Sequence, residues 1–443
     1  MPHSADQRSQ EPQRPHEVVT SFLWNGHQLL LALRSRSVST FPGHWAGISG
    51  YVEHESPLER AVIEIEEECG VDRCDVALRG EGEPFLVGED ARFRVHPFLF
   101  SVVPSCRPRR DWEAQRFQWV EVDDLLAGRI QPTVPKLCEG FRRVWPPWPV
   151  ELAFGRNLDL ARQWLREDRA RGAGGLARCA ARHVAKLARL VEDHDFDTYR
   201  LRLCEAAARL GAVRPSMAAP MNMMQDVADL TRQADSPADL IHKIESRVEA
   251  EAKAEVRAAT RAADALPESS TVITISDSAS VRRTLLTAKA KLAGVLVCEG
   301  RPLCEGRSLA TELAREGIDV TLLTEAQVML AMEKADFVLL GADTVLDSGD
   351  VINKVGSAML ALAAQTLNKP VWVVATTLKV ARRPLPEIPQ EENPTEEVWA
   401  TPPAGVTVAN LYFDRVAAAL ITSVWTETEH NGPQESRPSR AAC

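Results

Sequence analysis

Residues 43–71 read GHWAGISGYVEHESPLERAVIEIEEECGV. Pro57 sits where a first helical turn tolerates proline, a Glu-rich body follows, and Gly70 supplies a stop, so a helix is predicted over Pro57 to Cys69. Within it Glu64, Glu67 and Glu68 fall at i, i+3 and i+4, which puts three carboxylates on one face. Like charges so close repel one another, and a divalent cation relieves that cost. Magnesium is held by a few carboxylates together with substrate phosphates. For an isolated run of glutamates the alternative is a solvated acidic face.

Working outward, VVTSFLW and HQLLLALR flank Asn25-Gly26, a strong hairpin signal. RFRVHPFLFSVV and RFQWVEV are further strand candidates, so residues 16–145 form an α+β pattern. RVWPPWPVE, with three prolines, marks its boundary, and the polar residues 1–15 are expected to be disordered.

This first region resembles the Nudix family. Its box runs Gly, a short acidic loop, Glu, seven residues, Arg-Glu, an aliphatic residue, any residue, Glu-Glu, any residue, Gly. Here Glu55 is followed by seven residues and then by Ile63-Glu64-Ile65-Glu66-Glu67-Glu68-Cys69-Gly70. The resemblance implies a catalytic role for Glu64, with Glu64, Glu67 and Glu68 as ligands of Mg2+ or Mn2+ and Glu113 as an extra carboxylate. The reaction implied is metal-assisted attack of water on a diphosphate linked to a nucleoside or other group. The chain departs from the pattern twice. The loop Gly50 to Glu55 is one residue short, and Ile63 replaces the arginine that orients a carboxylate, leaving Arg60 one turn earlier as the substitute.

Residues 155–265 show helical spacing of apolar positions, and the bland reading of the long segment 236–266 is a packing helix. Between 266 and 428 short apolar strands alternate with helices: STVITIS, AGVLVCEG, DVTLLT, ADFVLLGAD and PVWVVAT. Nearly continuous apolar strands are buried on both faces, which implies a parallel sheet covered by helices. Residues 429–443 are polar and expected to be disordered. The fold class is therefore two domains: an α+β Nudix fold, then a helical subdomain and a Rossmann-like, doubly wound α/β domain.

Several short motifs follow in one order: Asp168-Arg169, Arg171-Gly172-Ala173, Arg214-Pro215-Ser216-Met217, VITISDS ending in Ser276-Asp277-Ser278, Glu305-Gly306-Arg307, Gly341-Ala342-Asp343, Asn353-Lys354-Val355-Gly356 opening a helix, and Lys379 ending a strand. The set resembles the translation initiation factor 2B alpha/beta/delta family, which includes ribose-1,5-bisphosphate and methylthioribose-1-phosphate isomerases. In the isomerases a Cys and an Asp transfer the protons. The resemblance puts Asp343 at that Asp position and Ser276 at the Cys position, where a hydroxyl cannot easily replace a thiol. It makes Arg171, Gly172, Ala173, Arg214, Ser276, Asn353, Lys354 and Lys379 ligand-facing, and puts Glu305 where the isomerases have Gln. Anion capture by Arg, Lys and backbone amides is the physical sense of such a set; cations that merely pair with surplus acids are the alternative.

With 443 residues and a net charge of −10, the chain has room for several cores and lacks the broad basic footprint of nucleic-acid binders. No apolar run reaches membrane-spanning length, the start has no secretory core, and nine cysteines show no CxxC pair. The expectation is a cytoplasmic homo-oligomer whose partners are nucleotides or sugar phosphates, with no membrane or direct nucleic-acid binding. Three functions stay open: a hydrolase with a regulatory, ligand-binding C-terminal domain; a non-catalytic assembly protein; and an isomerase using Ser276.

Overall fold

The computed structural model describes residues 15–88, 92–102, 106–109, 112–383, 393–428 and 430–431. The stretches expected to be disordered, 1–15 and 429–443, fall outside these residues except for Pro15 and the pair His430–Asn431. The chain divides into two compact units, residues 1–160 with 186–194, and residues 161–185 with 195–443.

In the first unit eight strands form one mixed sheet: β1 (His16–Trp24), β2 (Gln28–Arg34), β3 (Trp45–Ala46), β4 (Ile48–Tyr51), β5 (Val76–Glu81), β6 (Phe85–Val87), β7 (Phe93–Val102) and β8 (Ala114–Glu121). The hairpin forms where Asn25-Gly26 predicts it, with Leu23 opposite Leu30. The Asn25 side chain accepts from the His27 and Gln28 amides at 3.1 and 2.8 Å, which fixes the turn. β1 also runs parallel to β7 from His16 to Trp24 and so sits mid-sheet. Helices α1 (Pro57–Cys69), α2 (Val122–Leu126) and α3 (Leu137–Arg142) complete this part. Phe22, Leu29, Leu31, Leu99, Leu137 and Phe141 form a core under the sheet. Each such side chain contributes roughly 1.5–3 kcal/mol by leaving water.

α4 (Val150–Glu167) begins straight after the proline stretch, several residues before the apolar periodicity announces it. Asn157, on its first half, is buried and makes a reciprocal pair with Leu78 of β5, accepting from its amide at 2.9 Å and donating to its carbonyl at 2.8 Å.

The second unit takes in the end of α4 from Ala161 and α5 (Ala173–Leu190) as far as Ala185, followed by α6 (Phe196–Gly211), α7 (Ala218–Gln233) and α8 (Pro237–Ala265). Ser236 caps α8 by accepting from the Asp239 amide at 3.2 Å, and Pro237 occupies the first turn. Next come β9 (Ser270–Ile275), α9 (Ala279–Thr287), β10 (Leu292–Cys298), α10 (Gly306–Arg315), β11 (Val320–Leu323), α11 (Val328–Met332) and β12 (Phe337–Leu340). After β13 (Thr344–Val345) and β14 (Val351–Lys354) the chain forms α12 (Ser357–Thr366), β15 (Val371–Val374), β16 (Phe413–Val416), β17 (Ser423–Trp425) and β18 (His430–Asn431). The main sheet has the order β11-β10-β9-β12-β15-β17-β18, parallel throughout except for β18.

Alternate residues of each strand serve opposite faces. Val272, Val295, Val297, Phe337 and Leu339 join the core with α8, α9 and α10, while Ile273, Leu296, Val338, Leu340 and Val373 join the core with α11 and α12. Covered on both sides, the central strand β12 is buried and apolar throughout. A small antiparallel sheet, β13-β14-β16, lies apart.

Two local expectations need correction. Asn353 and Lys354 do not open a helix. They end β14, paired with Asp414 and Phe413, because Gly356 takes φ 101° and α12 starts only beyond it. Lys379 does not end a strand either: it lies in a 3-10 turn, Thr377–Lys379, after β15.

Candidate functional sites

In the first unit α1 is fixed at both ends: Ser56 accepts from the Glu59 amide at 3.2 Å, and Gly70 closes the helix at φ 63°. Leu58, Ala61, Val62, Ile65 and Cys69 bury the helix, and the same side carries Glu64 and Glu68 below the surface. Glu67 stands exposed one residue away. Glu66 points elsewhere and forms an ion pair with Arg73 at 2.7 Å.

Arg60 takes the orienting role. Its Nε donates to Glu64 at 2.7 Å and its Nη2 to Glu67 at 3.2 Å. Glu68 accepts from the Ser49 amide at 3.3 Å. The Glu64 carboxylate lies directly over Gly50, where a Cβ would come within 1.4 Å of its oxygen. Only glycine leaves that space. Burial pushes the Glu64 carboxyl up; Arg60 pulls it back, and Glu67 and Glu113 push it further.

Glu64, Glu67, Glu68, Glu113 and Glu53 line one cavity of about 470 Å3, with Arg60, Arg34 and Lys136 as its cations. Such a donor set, hard oxygens with one buried carboxylate disfavoured as an anion, fits a divalent cation. Arg60 already supplies positive charge at the same carboxylates.

In the second unit Arg171, Gly172, Ala173, Arg214, Ser276, Asp343, Asn353, Lys354 and Lys379 all line one cavity of about 460 Å3. The sheet explains the meeting. Strand order reverses between β9 and β12, and crevices in open parallel sheets form beyond the carboxyl ends of strands at such a point. Ser276 follows β9, Asp343 follows β12, and the N-termini of α5 and α9 reach the same cavity. Ser276 is held at φ 64°, a left-handed conformation uncommon for serine.

The cations here have partners. Arg171 meets Asp168 at 2.6 Å, Arg178 meets Glu255 at 2.9 Å, and Arg282 meets Asp277 at 2.5 Å. Lys354 meets Glu305 at 2.6 Å and lies 4.9 Å over the Tyr412 ring. Arg214 is buried and donates to the carbonyls of Leu165 and Asp168 at 3.2 and 2.7 Å. Arg169 donates to the Tyr412 hydroxyl at 3.0 Å, which in turn contacts Glu397. Burial, then Glu397, pushes the Tyr412 phenol up to about 12.

Lys379 differs. It is 8% exposed, and among the described residues its ammonium has neither hydrogen bond nor ion pair. Burial also pushes the Cys298 thiol up to about 12, so no thiolate is ready there to stand in for Ser276.

Glu255, Arg178 and Arg282 escaped the sequence reading. Glu255 left one signal, an acid on the buried side of α8.

The described residues thus form two cavities, one lined by carboxylates and the other by cations and helix N-termini. The model of the NUDIX domain matches residues 14–139, and that of the Initiation factor 2 subunit family matches residues 169–430. The latter spans more than half of the chain, which belongs to the initiation factor 2 subunit family and carries a NUDIX domain ahead of it.

Ribose 1,5-bisphosphate isomerase of Methanocaldococcus jannaschii is 26% identical over 270 residues, covering 60% of this chain and 88% of that protein. Methylthioribose-1-phosphate isomerase of Desulforamulus reducens is 30% identical over 291 residues, covering 58% and 82%. Among solved structures, the translation initiation factor eIF-2B of Pyrococcus horikoshii OT3 superposes with a TM-score of 0.55 at 26% identity, over 63% of this chain and 98% of that one. Among the described residues no helix is long and apolar enough to cross a membrane.

Proposed function

We propose that the chain is a metal-dependent hydrolase of a nucleoside-diphosphate-linked compound, with a C-terminal domain that binds a sugar phosphate or nucleotide and mediates self-association in the cytoplasm. The domains in this reading are a Nudix fold over 16–145, a helical subdomain over 155–265 and a Rossmann-like, doubly wound subdomain over 266–428. The observation that carries it is the Arg60–Glu64–Glu67 arrangement: the arginine missing at Ile63 is replaced from one turn earlier, on the same carboxylates.

Glu64, Glu67 and Glu68 would hold Mg2+ or Mn2+, which when bound acidifies water and neutralises phosphate charge. Arg60 opposes the effect of burial on Glu64 and aims its carboxylate. The Ser49 amide orients Glu68, and Gly50 leaves the Glu64 carboxylate its room. In the C-terminal cavity Lys379, Arg214 and the amides at Gly172 and Ala173 would receive a phosphate, with Arg171, Asn353 and Lys354 around it. Asp343 and Ser276 would contact the sugar without isomerising it.

A screen of nucleoside-diphosphate derivatives with the full chain tests the reading. Magnesium-dependent release of phosphate or nucleotide is expected, and no release from any compound overturns it. A second reading, a non-catalytic assembly protein, draws on the Lys354–Glu305 pair, which occupies a cation that a phosphate would need. Sugar-phosphate binding by the full chain, measured by calorimetry, argues against that reading.

A further inference from the structure

Glu305 is an acid on the wall of a cavity whose other features suit an anion. Its Oε1 accepts from the Lys354 ammonium at 2.6 Å, while its Oε2 is buried and has no partner among the described residues. That second oxygen lies beside Ser276, another wall residue: a Cβ added at Gly300 would stand 3.2 Å from it and 3.1 Å from the Ser276 Cβ. A buried acceptor without a donor is costly, so a site that keeps one suits a ligand that supplies the donor.

Charge decides what kind of donor. Lys354 is held twice, by Glu305 and by the Tyr412 ring at 4.9 Å, and its side chain is 9% exposed. A phosphate drawn to Lys354 would displace Glu305. The carboxylate has no other partner among the described residues, so it would stand charged and unpaired beside the incoming anion. Stripping one partner from a largely buried ion pair is strongly unfavourable. Lys379 carries no such acid, so one phosphate can be received there without breaking a pair. A second phosphate has no comparable place. A hydroxyl does, because it donates to a carboxylate, whereas an ionised phosphate oxygen only accepts.

We propose that Glu305 is a specificity-determining residue: it limits the cavity to a sugar carrying a single phosphate and accepts one of that sugar's hydroxyls. This rests on the reading of the C-terminal cavity as a sugar-phosphate site. Carboxylates near strand ends hold ribose hydroxyls in this way. Specificity then comes from repulsion as much as attraction, since a doubly phosphorylated sugar meets a charge it cannot pair.

Calorimetry on the full chain tests it, with ribose 5-phosphate and ribose 1,5-bisphosphate as probes. The monophosphate is expected to bind at least about 10-fold more tightly, because like charges set side by side are strongly disfavoured. Glu305→Gln keeps the size of the side chain and an acceptor for Lys354 while removing the charge. It should retain ribose 5-phosphate and gain about 10-fold or more for the bisphosphate, erasing the preference. Glu305→Asp keeps the charge and should keep the preference. Bisphosphate bound as tightly as monophosphate by the unmodified chain overturns the proposal and leaves the sugar-phosphate reading standing. So does a preference unchanged in Glu305→Gln. A Glu305→Gln chain that binds neither probe would make the residue structural and likewise overturns it. If the unmodified chain binds neither probe the proposal falls, and AMP decides the wider reading: binding keeps it, and no binding removes it.

Discussion

The two cavities are similar in volume and opposite in charge logic. In the first, buried Glu64 and exposed Glu67 share one arginine, and burial raises the Glu64 carboxyl against it. In the second, most cations are already matched by acids from the chain, with Lys379 left over. A site short of positive charge is built to be completed by a cation. One that neutralises itself almost fully is built to select, because a ligand must outcompete internal pairs.

The largest expected effect tests the first half of that contrast. Glu67→Gln with Glu68→Gln keeps volume and removes two charges, so the fold should persist by circular dichroism while turnover drops by about three orders of magnitude, comparable to the loss of a key electrostatic contact. Full turnover in the double variant, or in chelator, breaks the comparison.

Gly50→Ala comes next. The new methyl must displace the Glu64 carboxylate, so turnover should fall about 100-fold, with roughly 1–3 kcal/mol lost to overpacking in a denaturant titration. Unaltered activity would mean that Glu64 need not lie where it does.

In the second cavity Lys379→Met separates stability from binding. Lys379 faces the cavity and its ammonium pairs with no described residue, so its removal should change stability little, whereas affinity for ribose 5-phosphate should weaken about 10–100-fold, the usual range for a charged hydrogen bond. Loss of stability with binding intact would give Lys379 a structural role instead.

The smallest effect concerns Tyr412. The chain has three tyrosines, so ultraviolet titration resolves them. Tyr412 should ionise near pH 12, and Tyr412→Phe should delete that step. Because its folded value is raised, the stability it lends is intact below pH 10 and lost as pH rises from about 10 to 12. If Tyr412→Phe instead deleted a step near pH 10, Tyr412 would be open to water.

Much of this was legible because the signals were local. Pro57, Gly70 and the i, i+3, i+4 glutamates define α1 in a single stretch, and the apolar strands after residue 266 announce a sheet covered twice. What escaped is tertiary. Lys354 and Glu305 are 49 residues apart, so neither could be read as the other's partner. Asn353 and Lys354 resemble a helix start locally, but pairing with β16, some 60 residues on, makes them strand. α7 has Pro220 and Asn222 in its opening turn and no side-chain cap, so its own sequence argues weakly for a helix. The positive φ of Phe41 is something no phenylalanine advertises.

Asn157 has one more consequence. β5 is the terminal strand of its sheet, and the amide side chain from α4 occupies Leu78's N–H and C=O much as a neighbouring strand would. A fragment cut at residue 145 would lose α4 and open that border as a template for another chain. Soluble expression of the N-terminal region therefore calls for a cut beyond residue 160, and shorter fragments are expected to aggregate along β5.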